Sequence, residues 1–283
     1  MPETPDKPSI GWIGLGDQGG PIARAIAEAG YPLHVWSRSG RVGALGEEPA
    51  VAYTAHPSPA ELGPVSDIVG LCLSEDKDNT AVLVDGRLLD ALRPGTVLIN
   101  LGTGLPAAAV ELARTAATRD VQVIDAPVSG GHAGAVAKQL TTIVGGDRAV
   151  VDSLRPLFET YSTRVAYMGG AGAGQVGKLI NNAMLMANQK NISDLLGLAT
   201  AEHVDIAALV DVLRSGTGSS RALQSLGSAI TTGNAEHLSR LQVIDMEIFR
   251  QAFGGHGPDV EAVTERAFAG ARDLPSLAAL VTR

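Results

Sequence analysis

The sequence has one cysteine, few aromatic residues and no long apolar run, and each shortage excludes a class of protein. Its single cysteine, Cys72, cannot form a disulfide within the chain and lies in the apolar run 68–73, so we interpret it as a reduced core thiol. No apolar run reaches the roughly 18 residues that span a bilayer, and residues 1–9 lack the apolar segment of a signal peptide. We therefore expect a cytoplasmic protein without a membrane partner.

Clusters of basic residues are also missing. Lys and Arg number 22 against 30 Asp and Glu, which gives a net charge of −8. Binding of a polymeric phosphate backbone needs several neighbouring positive charges, so we do not expect nucleic acid as a partner. Aromatic residues make up only 4% of the chain, whereas glycine is abundant at 34 residues. This composition favours a fold with many tight turns over a base-stacking surface.

Short β-rich segments alternate with helical segments through the first half of the chain. We predict helices at 22–30 and 147–159, and strands at 10–15, 33–36, 68–73, 97–101, 121–125 and 141–144. This alternation is typical of a Rossmann-type α/β fold with a doubly wound parallel sheet. After the glycine-rich segment 169–174 the chain reads as helix. We predict a dinucleotide-binding domain at 1–168 and an all-α substrate and dimerisation domain at 169–283.

The segment 175–203 has apolar residues nearly all round its predicted helix. A helix of this kind is expected to be buried. We therefore predict that it passes between the two domains and contributes to a subunit interface, in a homodimer or a larger homo-oligomer.

A G-x-G-x-x-G pattern follows the first predicted strand and begins the first predicted helix. It consists of Gly14, Leu15, Gly16, Asp17, Gln18 and Gly19. Such glycines permit a tight turn and a close approach of backbone to a pyrophosphate, which the amide groups at the helix N-terminus bind. The pattern predicts a dinucleotide site, with a merely structural glycine turn as the alternative.

The second predicted strand ends at Ser37, Arg38 and Ser39. Sites selective for NAD usually carry an acid here, which binds the ribose 2′-hydroxyl. Arg38 can instead pair with a 2′-phosphate, and either serine can donate a hydrogen bond to it. We predict a preference for NADP(H) over NAD(H), with a solvated loop arginine as the alternative.

Several further motifs together resemble the β-hydroxyacid dehydrogenase family, which includes 3-hydroxyisobutyrate dehydrogenases and tartronate semialdehyde reductases. The most specific is the run 125–131, Asp-Ala-Pro-Val-Ser-Gly-Gly. The others are the segment 11–16, Thr103 with Pro106, the segment 144–147, and the segment 174–182. The resemblance extends to about Ser220, and more loosely beyond it.

The resemblance implies a reaction in which hydride passes between a nicotinamide and a small β-hydroxyacid or a related carbonyl compound. Three successive residues, Ser129, Gly130 and Gly131, can bind the substrate carboxylate with their backbone amides and a hydroxyl; a glycine hinge is the alternative. Lys178 is the expected acid/base, because the helix N-terminus and an apolar setting both disfavour its charged form; a surface lysine is the alternative. Asn182 follows one helical turn later and shares its face.

Other residues are assigned by the resemblance to the nicotinamide side of the cofactor. Thr103 is expected to contact it, and Leu71, Cys72 and Leu73 are expected to wall it. His132 beside the double glycine is expected either to touch the substrate or to lie in solvent. We expect no metal ion in this site.

The sequence also departs from the family pattern. The family usually carries a Lys-Asp pair in a C-terminal helix, and the matching pair here is Ile244 and Asp245, so a cation is missing. Arg221 is a candidate substitute, and a solvent-facing role is its alternative. Gln18 stands where the family commonly has methionine, a change that should matter little.

Two other functions stay open at this point. An imine reductase would share the fold and Arg38. Such enzymes typically lack the catalytic lysine, so Lys178 argues against this function. The isoleucine at position 244 keeps it open, because it removes a cation and makes the pocket more apolar. A non-catalytic dinucleotide-binding scaffold would not need Ser129, Lys178 and Asn182 together.

Overall fold

The computed structural model describes residues 7–46 and 50–282. The N-terminal segment in which we expect no signal peptide lies largely outside these residues. The chain divides into two compact units, of which the first ends at Lys178 and the second begins at Leu179. No helix within the described ranges is long and apolar enough to cross a membrane.

The first unit contains a single twisted sheet. Its strands in the described residues are β1 Ile10–Ile13, β2 Leu33–Trp36, β3 Thr54–Ala55, β4 Ile68–Leu71, β5 Val97–Asn100, β6 Gln122–Asp125, β7 Val128–Ser129, β8 Leu140–Gly145 and β9 Ser162–Gly169. The first six are parallel, in the order β3-β2-β1-β4-β5-β6. Strand β8 is antiparallel to β6 and β7 and parallel to β9. The predicted Rossmann-type α/β fold is confirmed.

The sequence reading missed three strands. Strands β3 and β7 have two residues each, too few for a periodic pattern. Strand β9 is longer, but only its first residue is buried. A mostly exposed strand shows neither the continuous apolar run nor the clean alternation by which the other strands were predicted.

Helices connect the strands of the first unit and make up most of the second unit. The helices are α1 Gly19–Glu28, α2 Asp76–Thr80, α3 Leu88–Ala91, α4 Pro106–Ala117, α5 Gly131–Val136, α6 Arg148–Phe158, α7 Ala173–Ala201, α8 Ile206–Ser215, α9 Arg221–Ser225, α10 Ala235–Phe253 and α11 Pro258–Val281. Two 3-10 helices, Gly43–Gly46 and Pro59–Val65, and a π-helical turn, Ala81–Asp85, complete them. Helix α1 begins three residues earlier than predicted, and α6 begins after the N-cap Asp147.

Hydrophobic side chains fill both faces of the sheet. Trp12 of β1 packs in one core cluster and its neighbour Ile13 in a second. Ile68 and Val69 of β4 divide between the same two clusters. Successive strand residues point to opposite faces, so a core on each face explains why these strands are continuous apolar runs.

The long helix α7 is buried on one face only within this chain, and its predicted place in a subunit interface stays a prediction. Ile180, Met184, Leu195 and Leu198 are each 53–61% exposed. They share one face of the helix, whereas Leu179, Ala183, Met186 and Leu196 pack in the core clusters of the second unit. The sequence pattern was apolar on both faces, and the fold of this chain covers only one. We call the four exposed residues the α7 stripe.

Candidate active site

The glycine fingerprint forms the turn between β1 and α1. A Cβ at Gly14 would lie 2.1 Å from the carbonyl oxygen of Cys72, and one at Gly19 would lie 2.0 Å from the carbonyl oxygen of Gly14. Both positions therefore need glycine for close packing. Gly16, by contrast, faces open space. Since α1 has no side-chain cap and no acid in its first turn, the residues present fit a pyrophosphate at this turn.

The rest of the fingerprint loop lies at the surface or against the core. Leu15 packs against the first core cluster, and Gln18 is the N-cap residue of α1. His132 Nδ1 donates to the carbonyl oxygen of Asp17 at 2.6 Å. The histidine, in the first turn of α5, therefore joins that helix to the glycine fingerprint turn.

The end of β2 exposes a cation. Arg38 is largely exposed, and its Nη1 lies 3.5 Å from Asp78 Oδ1. The hydroxyl oxygens of Ser37 and Ser39 are 3.4 Å apart, and the backbone N–H of Arg41 donates to Ser39 Oγ. Arg41, three residues after Arg38, is a second cation on this loop. The sequence analysis did not single it out, although its closeness to Arg38 in the chain could have indicated it.

Strand β4 ends next to the fingerprint turn. The Leu71 side chain is fully buried in the second core cluster, so only Cys72 and Leu73 offer side-chain surface at the strand end. Cys72 is only partly buried as a residue, but burial around its sulfur raises the pKa of the thiol to about 12, and its side chain packs against the first core cluster. These facts favour the reduced core thiol.

The Thr103 loop, residues 102–105, follows β5. Thr103 is half-buried. Both neighbouring peptide groups bond to one side chain: Gln175 Nε2 donates to the carbonyl oxygen of Gly102 at 2.8 Å, and Gln175 Oε1 accepts from Gly104 N–H at 2.9 Å. Asp76 Oδ2 accepts from Leu105 N–H at 3.0 Å.

The Asp-Ala-Pro-Val-Ser-Gly-Gly run brings the predicted carboxylate site next to Lys178. Ser129 is half-buried, and Gly130 and Gly131 take φ values of +137° and +64°. Lys178 lies in the second turn of α7, and its Nζ donates to the carbonyl oxygen of Val128 at 2.8 Å. The amine is thus fixed one residue before Ser129.

Asn182 follows Lys178 on the same helix and belongs to the second unit. It is 4% exposed, and its Nδ2 donates to Asp245 Oδ2 at 2.8 Å, while Oδ1 accepts from Asn181 Nδ2 at 3.2 Å. Asp245, the acid that remains of the family's Lys-Asp pair, therefore orients Asn182. Sequence reasoning did not assign Asp245 this contact.

Two family models match most of the chain. One, for the NAD-binding domain of 6-phosphogluconate dehydrogenase, matches residues 9–169. The other, described as NAD-binding of NADP-dependent 3-hydroxyisobutyrate dehydrogenase, matches residues 172–269.

Sequence and structure relatives agree with these models. A probable 3-hydroxyisobutyrate dehydrogenase-like protein of Arabidopsis thaliana is 33% identical, over 83% of this chain and 80% of its own length. An NAD-dependent L-serine dehydrogenase of Pseudomonas aeruginosa is 31% identical, over 76% and 72%. The structure of Mycobacterium tuberculosis 3-hydroxyisobutyrate dehydrogenase with L-serine superimposes with a TM-score of 0.82 at 25% identity, over 98% of each chain.

This chain belongs to the β-hydroxyacid dehydrogenase family. It is a nicotinamide-dependent oxidoreductase of the class that acts on CH–OH groups.

A buried acid of the dehydrogenase, Asp125, binds the start of α7, a role that the sequence analysis did not identify. Asp125, at the end of β6, is 2% exposed. Its Oδ1 accepts from Gly172 N–H at 2.8 Å and its Oδ2 from Gln175 N–H at 2.9 Å. Burial raises the pKa of Asp125, and the amide donors lower it in part. The strand that leads into the motif is thus joined to the helix that carries Lys178.

The position of the missing family lysine and its candidate substitute both lie in the second unit. Ile244 is half-buried on α10, next to Asp245. Arg221 is exposed at the first position of α9.

Proposed function

We propose that this dehydrogenase transfers hydride between NADP(H) and the hydroxyl-bearing carbon of a small β-hydroxyacid, with Lys178 as the acid/base. The observation that carries the proposal is the 2.8 Å hydrogen bond from Lys178 Nζ to the Val128 carbonyl oxygen. It holds an amine beside the loop that begins at Ser129, an arrangement suited to a short substrate with both a hydroxyl and a carboxylate. The L-serine dehydrogenase relative and a 2-hydroxy-3-oxopropionate reductase of Escherichia coli, 30% identical, support this substrate class.

Substrate binding is assigned to four residues. Ser129, Gly130 and Gly131 bind the carboxylate through the serine hydroxyl and the backbone amides, because the glycines place no side chain over those amides. The Asn182 amide, oriented by Asp245, directs the hydroxyl oxygen of the substrate. All four are proposed substrate contacts, and Ser129, Lys178 and Asn182 are the proposed catalytic residues.

Lys178 moves the proton. In oxidation its neutral amine takes the hydroxyl proton as the carbinol carbon loses hydride, and a carbonyl group forms. In reduction the ammonium returns that proton to the oxygen. The bound nicotinamide supplies the hydride acceptor or donor. The contact with Val128 orients Nζ.

The cofactor contacts are assigned to the strand ends of the first unit. The fingerprint 14–19 would hold the pyrophosphate. Cys72, Leu73 and Thr103 would border the nicotinamide side with their side chains, and Leu71, whose side chain is buried, only through its backbone. Ser37, Arg38 and Ser39 bind the 2′-phosphate, because no acid replaces them at the end of β2. NADP(H) is therefore the proposed preferred cofactor and NAD(H) the weaker one.

The helical part of the chain also bears on the roles of the domains and on subunit assembly. We assign residues 1–168 to cofactor binding and residues 169–283 to substrate binding and dimerisation. The exposed α7 stripe supports a homodimer, since large exposed apolar side chains gathered on one helix face often mark an interface. The cytoplasmic location stays a prediction from the sequence.

The decisive experiment replaces Lys178. Lys178→Ala should lower kcat by about 10²–10⁴-fold, the usual contribution of a positioned acid/base. NADPH binding, followed by fluorescence, should persist. Lys190→Ala is the matched control, because it removes another lysine from α7 that pairs with Asp194 and Asp273. Near-native turnover of Lys178→Ala at saturating cofactor would overturn the assignment.

A substrate panel separates this function from its competitors. We would follow nicotinamide absorbance with both cofactors, in both directions, using small β-hydroxyacids, a β-semialdehyde acid and a cyclic imine. Turnover of the cyclic imine alone would identify an imine reductase. Tight cofactor binding without turnover on any compound would identify a scaffold.

A further inference from the structure

The Gln175 side chain is wholly buried and spans the Thr103 loop. It accepts a hydrogen bond from Gly104 N–H and donates one to the carbonyl oxygen of Gly102, at 2.9 and 2.8 Å. These groups flank Thr103 in the chain. One side chain therefore fixes both peptide groups next to that residue.

The backbone of Gln175 is itself anchored. Its N–H donates to the buried carboxylate of Asp125. Lys178 follows three residues later on α7, about one turn along the helix. The Thr103 loop is consequently tied to the helical turn that leads into Lys178.

Packing alone does not hold this loop. A cavity of about 280 Å³ borders it, lined by Asn100, Leu105 and Gln175 together with residues of α2 and α4. A loop with open space beside it lacks packing contacts on that side, so its hydrogen bonds help to set its position there. The bond between Leu105 N–H and Asp76 supports one end of the loop, and Gln175 supports its centre.

We infer that Gln175 is a positioning residue that keeps Thr103 at a fixed distance from Lys178. The inference rests on the proposed function, in which Thr103 borders the nicotinamide and Lys178 handles the proton. Hydride and proton transfer require both groups at near-contact distances from one substrate carbon and its oxygen. A misplacement of about 1 Å can reduce the rate about 10²-fold.

The test compares Gln175→Met, which keeps the length of the side chain but removes both hydrogen bonds, with wild type. Gln175→Glu is the second variant, because it can still accept from Gly104 N–H but cannot donate to Gly102. The matched control is Gln189→Met. Gln189 lies on the same helix, is equally buried, and has no hydrogen-bond partner for its amide atoms in the described structure.

We expect kcat of Gln175→Met to fall about 10–100-fold, more than KM for either substrate rises. The primary isotope effect from 4-deuterated NADPH should increase, because the hydride step becomes slower. In the cofactor-free protein, the Gly104 amide should exchange with deuterium at least ten times faster than in wild type. Gln175→Glu should show the same fall in kcat but keep slow exchange at Gly104, because its carboxylate still accepts from that N–H. Gln189→Met should show neither change.

Three outcomes are distinguishable. Turnover of both Gln175 variants within twofold of the Gln189→Met value, while Lys178→Ala is inactive, overturns this inference and leaves the proposed function standing. Unchanged exchange at Gly104 in Gln175→Met overturns it without any activity measurement. A wild-type protein that turns over no compound overturns the proposed function itself.

Discussion

At the residue scale, Arg38 and Asp78 set the charge where a 2′-phosphate would bind. Asp78 lies 3.5 Å from the guanidinium and is much less exposed than Arg38. The carboxylate is therefore the more fixed partner, and it opposes the phosphate that the arginine attracts. An exposed ion pair of this kind is weak, so a phosphate can displace it.

Substitutions at these two residues should change NADP(H) affinity in opposite directions. Arg38→Asp should raise the KM for NADP about 10–100-fold, because a charge-assisted bond contributes about 1.5–3 kcal/mol. Asp78→Asn should lower it a few-fold. Steady-state kinetics with both cofactors provides the check, and the KM for NAD serves as the internal control in each variant. A wild type that prefers NAD would contradict the cofactor proposal.

Cys72 is the residue for which burial predicts a direct chemical consequence. With a thiol pKa of about 12, Cys72 stays neutral at pH 8. Thiolate, the reactive form, should then be roughly 10⁻⁴ of the total, against a far larger share for a free cysteine with a pKa of about 8.5.

Alkylation should report this difference without interference, since the chain has one cysteine. Iodoacetamide at pH 8 should label the native protein slowly and the urea-unfolded protein rapidly, as measured by mass spectrometry. Labelling of the native protein should accelerate as the pH rises towards 12, as long as the fold persists. Fast stoichiometric labelling at pH 8 would show that the thiol is not buried.

At the scale of elements, the first turn of α7 depends on a close approach to Asp125. A Cβ on Gly174 would lie 2.6–2.7 Å from the carbonyl oxygen and Oδ2 of Asp125 and from the carbonyl oxygen of Ile143. Backbone cannot yield as a flexible side chain does. This contact explains why a glycine stands next to Gln175 at the start of a long helix.

Two glycines on α7 should therefore respond oppositely to alanine. Gly174→Ala should destabilise the fold by about 1–3 kcal/mol through overpacking, and it should also lower turnover by moving Lys178. Gly197→Ala should stabilise it by about 0.5–1 kcal/mol, because glycine is a poor helix former and its Cβ would meet no atom within 4 Å. Urea unfolding of both variants measures the difference. Equal effects would contradict the packing argument.

At the scale of the whole molecule, the α7 stripe predicts self-association. Met184→Lys combined with Leu195→Lys places two charges on the apolar face and should convert a dimer to a monomer. Val212→Lys, on α8, is the control, because Val212 is exposed to a similar degree, at 63%. Light scattering with each protein gives the mass. A monomeric wild type would overturn the proposed interface.

Much of the fold was predictable because it depends on local patterns. Strands such as Ile10–Ile13 and Ile68–Leu71 are buried on both faces, so each reads as an apolar run. The fingerprint glycines and the run 125–131 are local too. The glycines, between a predicted strand and a predicted helix, indicated a dinucleotide site, and the run 125–131 carried the resemblance to the family. The α7 stripe was not predictable, because a helix that is apolar on two faces does not say which face its own chain covers.

The sequence by itself determined the Rossmann-type α/β fold, the family and the residue types of the site. Only the tertiary structure decided which of them meet: Lys178 with Val128, Gln175 with the Thr103 loop, and Asp125 with the start of α7. The partners in these contacts are about 50–70 residues apart in the chain. No local periodicity encodes such contacts, because they arise when the start of one helix packs against strand ends and loops that are distant in the chain.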